Sequence, residues 1–181
     1  MNKTKKTVVL GVTGSIAAYK ACEITGSLRK MGFDVNVILT KEAAEFVTPL
    51  TFQTLSGNKV AAGMFDIPEE WDPAHISLAQ KADLILVAPA SANIIGKLAS
   101  GVCDDLLTCV ILATKAPVLI APAMNTNMYE HKIVQANITK LKSIGYRFIG
   151  PVKGRLACGA EGIGHIACTE DIVSQSQRLL K

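Results

Sequence analysis

Short apolar runs alternate with longer segments of helical periodicity along the whole chain. The run at 84–88 is apolar at every position, which is typical of a strand buried on both faces of a parallel sheet. After the first run, Ala17, Ala21, Ile24, Leu28 and Met31 recur at the spacing of one helix face. Strands are predicted in this way at 7–12, 34–39, 84–88, 117–121 and 146–149.

This alternation predicts an α/β fold with a parallel sheet, because parallel neighbours need a crossover helix. We expect a single three-layer domain over 1–181, flavodoxin- or Rossmann-like, with helices on both faces. Pro89 is expected to end its strand, since it cannot donate a ladder hydrogen bond. Ser91 and Asn93 are both predicted caps of the following helix, and Thr169 of the last one. Residues 122–128 and the glycine-rich segment 150–164 are predicted loops.

The predicted strand ends share small, hydroxyl, amide or proline residues. Ligands of such sheets bind outside the carboxyl ends of the strands, so we expect a polar ligand there. The first turn lacks the GxGxxG spacing of dinucleotide sites, and the second strand ends in Thr40 rather than an acid. This favours a mononucleotide, with FMN the main candidate, while the 2′-phosphate of NADP stays open. The absence of a P-loop sequence argues against ATP and GTP.

The composition argues against several classes of partner, namely nucleic acids, membranes and metal ions. The 181 residues are 49% hydrophobic and 19% charged, and the net charge of +4 is scattered, so no nucleic-acid partner is expected. No apolar run is long enough to cross a membrane, and the basic N-terminus lacks a cleavage-like site, so no membrane segment or signal peptide is expected. Five cysteines without a CxxC pair predict a reducing, cytoplasmic setting. The three histidines form no metal-ligand pattern, and we expect no metal.

Three residues are candidates for chemistry. His75 follows an irregular Trp-Asp-Pro segment and could take a proton at the ligand edge, although a lone histidine is more often a surface or capping residue. Asn125 could hold a carboxylate or serve as an ordinary turn amide. Cys158 is expected to be accessible in the glycine-rich segment, as an acid or redox group, and the other cysteines to be buried. Met124 and Met128 are interpreted as core residues.

Several short motifs occur in the order and spacing of a known family. They are Gly-Ser-Ile-Ala-Ala-Tyr-Lys at 14–20, His75, Pro-Ala-Ser-Ala-Asn at 89–93, Pro-Ala-Met-Asn-x-x-Met at 122–128 and Ala-Cys-Gly at 157–159. With them, the chain resembles the homo-oligomeric flavin-containing cysteine decarboxylases over nearly its whole length. One departure is the pair His165 and Ile166, which stands where Arg-Met is expected in many members that act in coenzyme A biosynthesis. The charge of His165 is less permanent than that of an arginine.

The resemblance implies FMN at the strand ends and a role for each motif. The FMN phosphate would lie near Gly14, Ser15 and Thr40. His75 would be the active-site base, Asn125 would bind the substrate carboxylate, and Cys158 would donate a proton. The remaining implied contacts are Ile16, Ser91, Ala92, Asn93 and Met124 with FMN, and Met128, Ala157 and Gly159 with the substrate.

The resemblance also implies an activity and partners. The expected reaction is oxidative decarboxylation of 4′-phosphopantothenoylcysteine, followed by reduction of the enethiol to 4′-phosphopantetheine. Trimers, or dodecamers assembled from trimers, are implied, with flavin sites at subunit contacts, together with a phosphopantothenate-cysteine ligase on a fused or separate chain. Cys158 favours this substrate over the C-terminal cysteine of lantibiotic precursor peptides. A non-catalytic FMN-binding regulator and a prenyl-flavin-forming transferase of similar fold also stay open.

Overall fold

A five-stranded parallel sheet forms the centre of the molecule, with the strand order β2-β1-β3-β4-β5. The computed structural model describes residues 5–61, 63, 74–155, 159 and 161–181. All neighbouring strands of this sheet are parallel, which confirms the predicted fold class. The strand order reverses between β1 and β3, and this leaves a crevice at their carboxyl ends. The strands are β1 (Thr7–Val12), β2 (Asp34–Leu39), β3 (Leu84–Ala90), β4 (Val118–Pro122) and β5 (Arg147–Phe148).

Helices cover both faces of the sheet, as predicted. The helices are α1 (Ala18–Lys30), α2 (Lys41–Ala44), α3 (Pro49–Ser56), α4 (Ala74–Lys81), α5 (Ala92–Ser100), α6 (Leu106–Ala113), α7 (Thr126–Glu130), α8 (Lys132–Ser143) and α9 (Thr169–Leu179). One hydrophobic cluster joins the sheet to α1, α3 and α9, and a second joins it to α4, α5, α6 and α8. Within the described ranges, no helix has the length and apolar character needed to cross a membrane.

The central strands are buried on both faces. Val8 and Leu10 of β1 pack into the first cluster, while Val9 between them packs into the second. Every residue of β1 and β3 is buried, which explains their continuous apolar sequences. Each fully buried aliphatic side chain contributes about 1.5–3 kcal/mol to stability. The positions of the carboxyl ends of β1 and β3 are therefore fixed by packing in the core.

The sequence predicts that Pro89 ends the third strand, whereas β3 continues to Ala90. The pairing of β3 with β4 is irregular between Val87 and Ala90, so the missing N–H of Pro89 interrupts no regular ladder there. The carbonyl of Pro89 instead accepts hydrogen bonds from the Thr13 backbone N–H at 3.3 Å and the Thr13 hydroxyl at 2.8 Å. Ser91, and not Asn93, caps α5, because its Oγ accepts from the Ile94 N–H at 3.4 Å.

The segment predicted as a loop at 150–164 contains an antiparallel hairpin, formed by β6 (Val152–Arg155) and β7 (Glu161–His165). Its base is anchored to the loop after β4, where the Met124 N–H donates to the Gly164 carbonyl at 3.0 Å. A Cβ atom on Gly164 would overlap the Met124 carbonyl oxygen, and one on Gly162 would overlap Thr126 Oγ1. The glycines that suggested a loop therefore permit close packing of the hairpin.

Replacing Gly164 with alanine is expected to destabilise the protein by about 1–3 kcal/mol, because the residue has a φ of +143° and no room for a Cβ. The free energy of unfolding from urea titration would measure the loss. Gly26→Ala is the matched control, since a Cβ there meets nothing within 4 Å, and it should stabilise α1 by about 0.5–1 kcal/mol. Equal stability of Gly164→Ala and the parent would contradict the close packing.

Several smaller predictions were wrong for local reasons. A short helix, α7, begins within the predicted loop at 122–128, and Asn125 is its N-cap. Thr169 is the first residue of α9 rather than its cap, and its hydroxyl donates to Glu23 Oε2 at 3.0 Å. Met31 lies 41% exposed because α1 ends one residue before it. Cys103 and Cys168 are exposed, contrary to the expectation of buried thiols.

Candidate functional site

A cavity of about 670 Å³ opens at the carboxyl ends of β1, β3 and β4. A smaller cavity of about 220 Å³ borders it, since Gly14, Ser91, Ala92 and Met128 line both. Because β1 and β3 are the strands between which the sheet order reverses, the cleft lies at the expected ligand crevice of the fold. The volume of the larger cavity is in the range of small-molecule sites, about 300–1,000 Å³.

Thr13 links the turn after β1 to the turn after β3 through hydrogen bonds of its side chain. Its hydroxyl donates to the Pro89 carbonyl at 2.8 Å and accepts from the Ser91 backbone N–H at 2.9 Å. The side chain is only 2% exposed, so these bonds are shielded from water. The turn after β1 and the turn after β3 are thereby fixed relative to each other, which preorganises the residues that line the cleft.

Three hydroxyl side chains at the cleft use their oxygens in the same way. Ser15 Oγ accepts from the Ala17 N–H at 3.3 Å, and Thr40 Oγ1 accepts from the Ala43 N–H at 3.3 Å. Ser91 Oγ accepts from the Ile94 N–H in its capping bond. Each oxygen faces a backbone N–H, so its own hydrogen is directed elsewhere and can be donated to a ligand acceptor. This donor set suits the oxygens of a phosphate ester.

The electrostatic character of the two cavities differs. Lys20, Arg155 and His165 line the larger one, and none of its described lining residues is acidic. Glu42 and Asp105 line the smaller cavity. Burial alone would raise the pKa of Asp105, but hydrogen bonds from Thr108 and the ammonium of Lys97 lower it below its ordinary value. The negative charge of Asp105 is thus offset by Lys97, whose Nζ lies 2.9 Å from its carboxylate.

Asn125 lines the larger cavity at the N-terminus of α7. Its Oδ1 accepts from the Asn127 backbone N–H at 2.9 Å, which orients the side-chain amide with its oxygen toward the helix. The preceding residue, Met124, is tied to the hairpin through its bond to Gly164. The position of Asn125 therefore depends on both β4 and the hairpin.

Most of the predicted ligand residues meet at this cleft. Met128 and Met124, interpreted as core residues, line the larger cavity, and Met128 is 48% exposed, so that interpretation was wrong for Met128. The predicted residues that line the larger cavity are Gly14, Ser15, Ile16, Ser91, Ala92, Met124, Asn125 and Met128. Thr40 and Asn93 line the smaller one.

Of the other predicted residues, the structure describes only His75 and Gly159, and neither lines the cleft. His75 lies half-buried in the first turn of α4 and lines neither cavity. Gly159 is exposed, with a φ of +85°, and also lines neither. Cys158 and Ala157 lie outside the described residues, as does the Trp-Asp-Pro segment before His75.

Sequence reasoning missed several lining residues. Tyr19 and Lys20 belong to the first motif, so their position in that motif was an available signal. Phe46 and Arg155 reach the cavity from the C-terminal side of α2 and from β6, where no motif pointed to them. Ile16, Tyr19 and Phe46 are 58%, 55% and 51% exposed, so the mouth of the cleft carries apolar surface.

Comparison with known families gives a match along the whole chain. The model of the family described as Flavoprotein covers residues 1–181. The chain belongs to this family. The match confirms the expectation of a flavin-containing protein, which rested on the motifs at the strand ends.

Two curated relatives of this flavoprotein differ in length. The coenzyme A biosynthesis bifunctional protein CoaBC of Bacillus subtilis is 49% identical over 173 residues, or 96% of the chain and 43% of the relative. The chain thus spans about two fifths of that relative's length. A probable phosphopantothenoylcysteine decarboxylase of Streptococcus mutans is 46% identical over 98% of the chain and 99% of the relative.

Solved structures agree on the fold. A mutant PPC decarboxylase complexed with pantothenoylaminoethenethiol has a TM-score of 0.85 and 33% identity, covering 96% of this chain and 97% of that one. SpaF, described as an FMN-dependent cysteine decarboxylase, has a TM-score of 0.84 and 26% identity, with 97% of each chain covered. These similarities confirm the flavodoxin-like fold class and the resemblance to the cysteine decarboxylases.

Proposed function

We propose that the chain is an FMN-dependent decarboxylase that converts 4′-phosphopantothenoylcysteine into 4′-phosphopantetheine for coenzyme A biosynthesis. The observation that carries the proposal is the cleft at the β1/β3 crevice, where Asn125 and the hydroxyls of Ser15 and Ser91 line one cavity. The substrate class is supported by the relative from Streptococcus mutans, which matches along nearly both whole chains. The 33% identical PPC decarboxylase structure supports the same chemistry.

The cleft suits FMN in the chemistry of its donors. We assign the phosphate to Gly14, Ser15 and Thr40, where the two hydroxyl hydrogens can be donated to anionic oxygens. The N-terminal ends of α1 and α5 meet the same region and add positive potential. The remaining assigned contacts of FMN are Ile16, Ser91, Ala92, Asn93 and Met124. When bound, FMN supplies the two-electron redox chemistry, accepting a hydride from the thiol-bearing carbon and returning it later.

Asn125 has the task of binding the substrate carboxylate. Its Oδ1 accepts from the Asn127 N–H, and Nδ2 is the atom of the amide that can donate to a carboxylate oxygen. A neutral amide holds the carboxylate without forming a buried ion pair that would stabilise the negative charge and oppose loss of CO2. Met128, Ala157 and Gly159 complete the assigned substrate contacts.

His75 is assigned as the base that removes the thiol proton, acting in the cleft of a neighbouring copy of the chain. A neutral imidazole can accept a proton at neutral pH. Two observations support a shared site: His75 lines neither cavity of its own chain, and the mouth of the cleft exposes Ile16, Tyr19 and Phe46. We therefore expect clefts at subunit contacts, in the trimers, or dodecamers assembled from trimers, that the family resemblance implies.

Cys158 is assigned as the proton donor that completes the reaction. After CO2 leaves, the substrate is an enethiol, and its conversion to a thiol requires a hydride and a proton at adjacent carbons. In the sequence, the Ala-Cys-Gly motif lies between β6 and β7, and the Gly164 carbonyl of β7 accepts a hydrogen bond from Met124, beside the assigned carboxylate-binding residue. A thiol is a much stronger acid than a serine hydroxyl and suits this step.

The proposed setting is the cytoplasm, where the five cysteines would stay reduced. The substrate must be supplied by a reaction that joins a phosphorylated pantothenate to cysteine. Because the Bacillus subtilis relative is bifunctional, we expect a phosphopantothenate-cysteine ligase as partner, on a fused or a separate chain.

Incubation of the FMN-loaded protein with 4′-phosphopantothenoylcysteine is expected to release CO2 and form 4′-phosphopantetheine in equal amounts. Mass spectrometry of the product and CO2 capture would measure both. A peptide ending in cysteine, offered in parallel, should react far more slowly. Decarboxylation of the peptide alone would overturn the proposal and favour a peptidyl-cysteine decarboxylase, a function that the similarity to SpaF supports. A protein that binds FMN but decarboxylates neither compound would instead be a non-catalytic regulator.

A further inference from the structure

We propose that Lys20 and Arg155 form a cationic subsite that binds the phosphate monoester of the substrate. The inference rests on the proposed function, because it concerns the end of 4′-phosphopantothenoylcysteine that lies farthest from its reacting carbon. Both side chains line the larger cavity, Lys20 from α1 and Arg155 from β6. They approach that cavity from two different elements, one in the main body and one in the hairpin.

Lys20 occupies an unfavourable position unless an anion is near. It is the third residue of α1, and a cation in the first turn opposes the positive end of the helix dipole. No acidic residue accompanies it in that turn. The side chain is half-buried and makes a cation–π contact with Tyr19, with Nζ at 5.7 Å from the ring centroid. A bound phosphate would offset both the dipole and the charge of Lys20.

Arg155 likewise has no anionic partner among the described residues, although Glu161 lies opposite it in the hairpin register. His165 lines the same cavity, but its Nδ1 lies 2.8 Å from the Ile166 carbonyl, so one ring nitrogen is already engaged. The permanent charge of the hairpin side of the cavity therefore comes from Arg155. A guanidinium is well suited to phosphate, because it can donate two parallel hydrogen bonds.

The substrate carries two anionic groups, and the cavity offers two different kinds of partner. Asn125 is a neutral amide, suited to the carboxylate that must be lost. Lys20 and Arg155 are charged, suited to a dianionic phosphate that stays bound throughout. Neither cation lines the smaller cavity, which contains Thr40 of the assigned FMN phosphate contacts, whereas Ser15 lines only the larger cavity and Gly14 lines both. The FMN content of the variants therefore distinguishes a contact with the substrate phosphate from a contact with the flavin phosphate.

The test compares 4′-phosphopantothenoylcysteine with pantothenoylcysteine, which lacks only the phosphate. In Lys20→Met and Arg155→Gln, the ratio of kcat/KM for the two substrates should fall about 10- to 100-fold, mainly through a higher KM for the phosphorylated one. Arg155→Lys should retain part of the preference. FMN content should stay at the parent level. Lys30→Met on α1 and Lys153→Met on β6 are matched controls, since both lysines are exposed and line neither cavity.

Equal losses on the two substrates, or loss of FMN from the variants, would overturn the subsite. Calorimetric titration of the FMN-loaded protein with 4′-phosphopantothenate and with pantothenate tests phosphate binding at this subsite without requiring turnover. The parent should bind the phosphorylated compound more tightly, and each charge-removing variant should lose that difference. If the parent decarboxylates neither substrate, the proposed function fails, while this titration still supports or overturns the subsite. No preference for the phosphorylated ligand in the parent would overturn it.

Discussion

His75→Asn is expected to stop oxidation of the substrate while leaving FMN binding and assembly unchanged. Asparagine keeps a polar side chain on α4 but cannot take the thiol proton. A positioned general base contributes about 100- to 10,000-fold to a rate, so turnover should fall by that factor. Under anaerobic conditions, the yellow absorbance of the oxidised flavin should persist after the variant is mixed with substrate.

His131→Asn is the matched control for this substitution. His131 caps α8 through its Nδ1 and lines neither cavity, and asparagine is a good capping residue, so this variant should keep full activity. Rapid bleaching of the flavin by substrate in His75→Asn would exclude His75 as the base.

A mixed-oligomer experiment tests whether the site is shared between copies. Asn125→Asp keeps the helix cap but places a negative charge beside the substrate carboxylate, so it should be inactive on its own. Oligomers that contain both Asn125→Asp and His75→Asn chains should regain activity, because some clefts then combine an intact Asn125 with an intact His75 from the neighbour. Mixed oligomers without any regained activity would place His75 in the cleft of its own chain or outside the reaction.

The sequence predicted the parallel sheet well, because its strands are defined by local patterns. The observed bounds of β1 and β2 agree with the predicted strands at 7–12 and 34–39. The segments after β1, β2, β3 and β4 carry most of the predicted lining residues, since parallel strands bring those ends to one edge whatever the details of packing. The fold class, and the edge of the sheet at which a ligand is expected, could therefore be predicted from short local sequence patterns.

The hairpin could not be predicted in the same way. The sequences of β6 and β7 show no apolar alternation, and their burial is low, so pattern gives little signal. What holds the hairpin in place is contact with the loop after β4, from Gly164 to Met124 and from Gly162 to Thr126. Contacts between residues that are far apart in the sequence cannot be predicted from the local sequence pattern. Arg155 was missed for this reason, because its place at the cavity depends on the hairpin.

The role of His75 could not be worked out from local pattern for a different physical reason. In the proposed function His75 acts in the cleft of another copy, and it lines neither cavity of its own chain. Its place among the family motifs and its position after the Trp-Asp-Pro segment were the signals for a role in the sequence. The assignment of His75 therefore depends on assembly, which the mixed-oligomer experiment addresses directly.

Cys158→Ser is expected to separate decarboxylation from completion of the reaction. Removal of CO2 requires the base and the carboxylate-binding residue, and neither is changed, so CO2 release should continue through the first turnover. Serine is too weak an acid to replace the thiol at neutral pH. Formation of 4′-phosphopantetheine should fall by about 100- to 10,000-fold, the usual contribution of a positioned proton donor.

The expected product of this variant is the enethiol, which mass spectrometry would distinguish because it is lighter than 4′-phosphopantetheine by two hydrogens. Cys103→Ser is the matched control: Cys103 is an exposed cysteine that lines neither cavity, so its loss should leave the thiol product unchanged. If Cys158→Ser forms 4′-phosphopantetheine at the parent rate, Cys158 is not the donor. The proton would then come from water or another side chain at the cleft, and the preference for this substrate over a peptide cysteine would lose its support from Cys158.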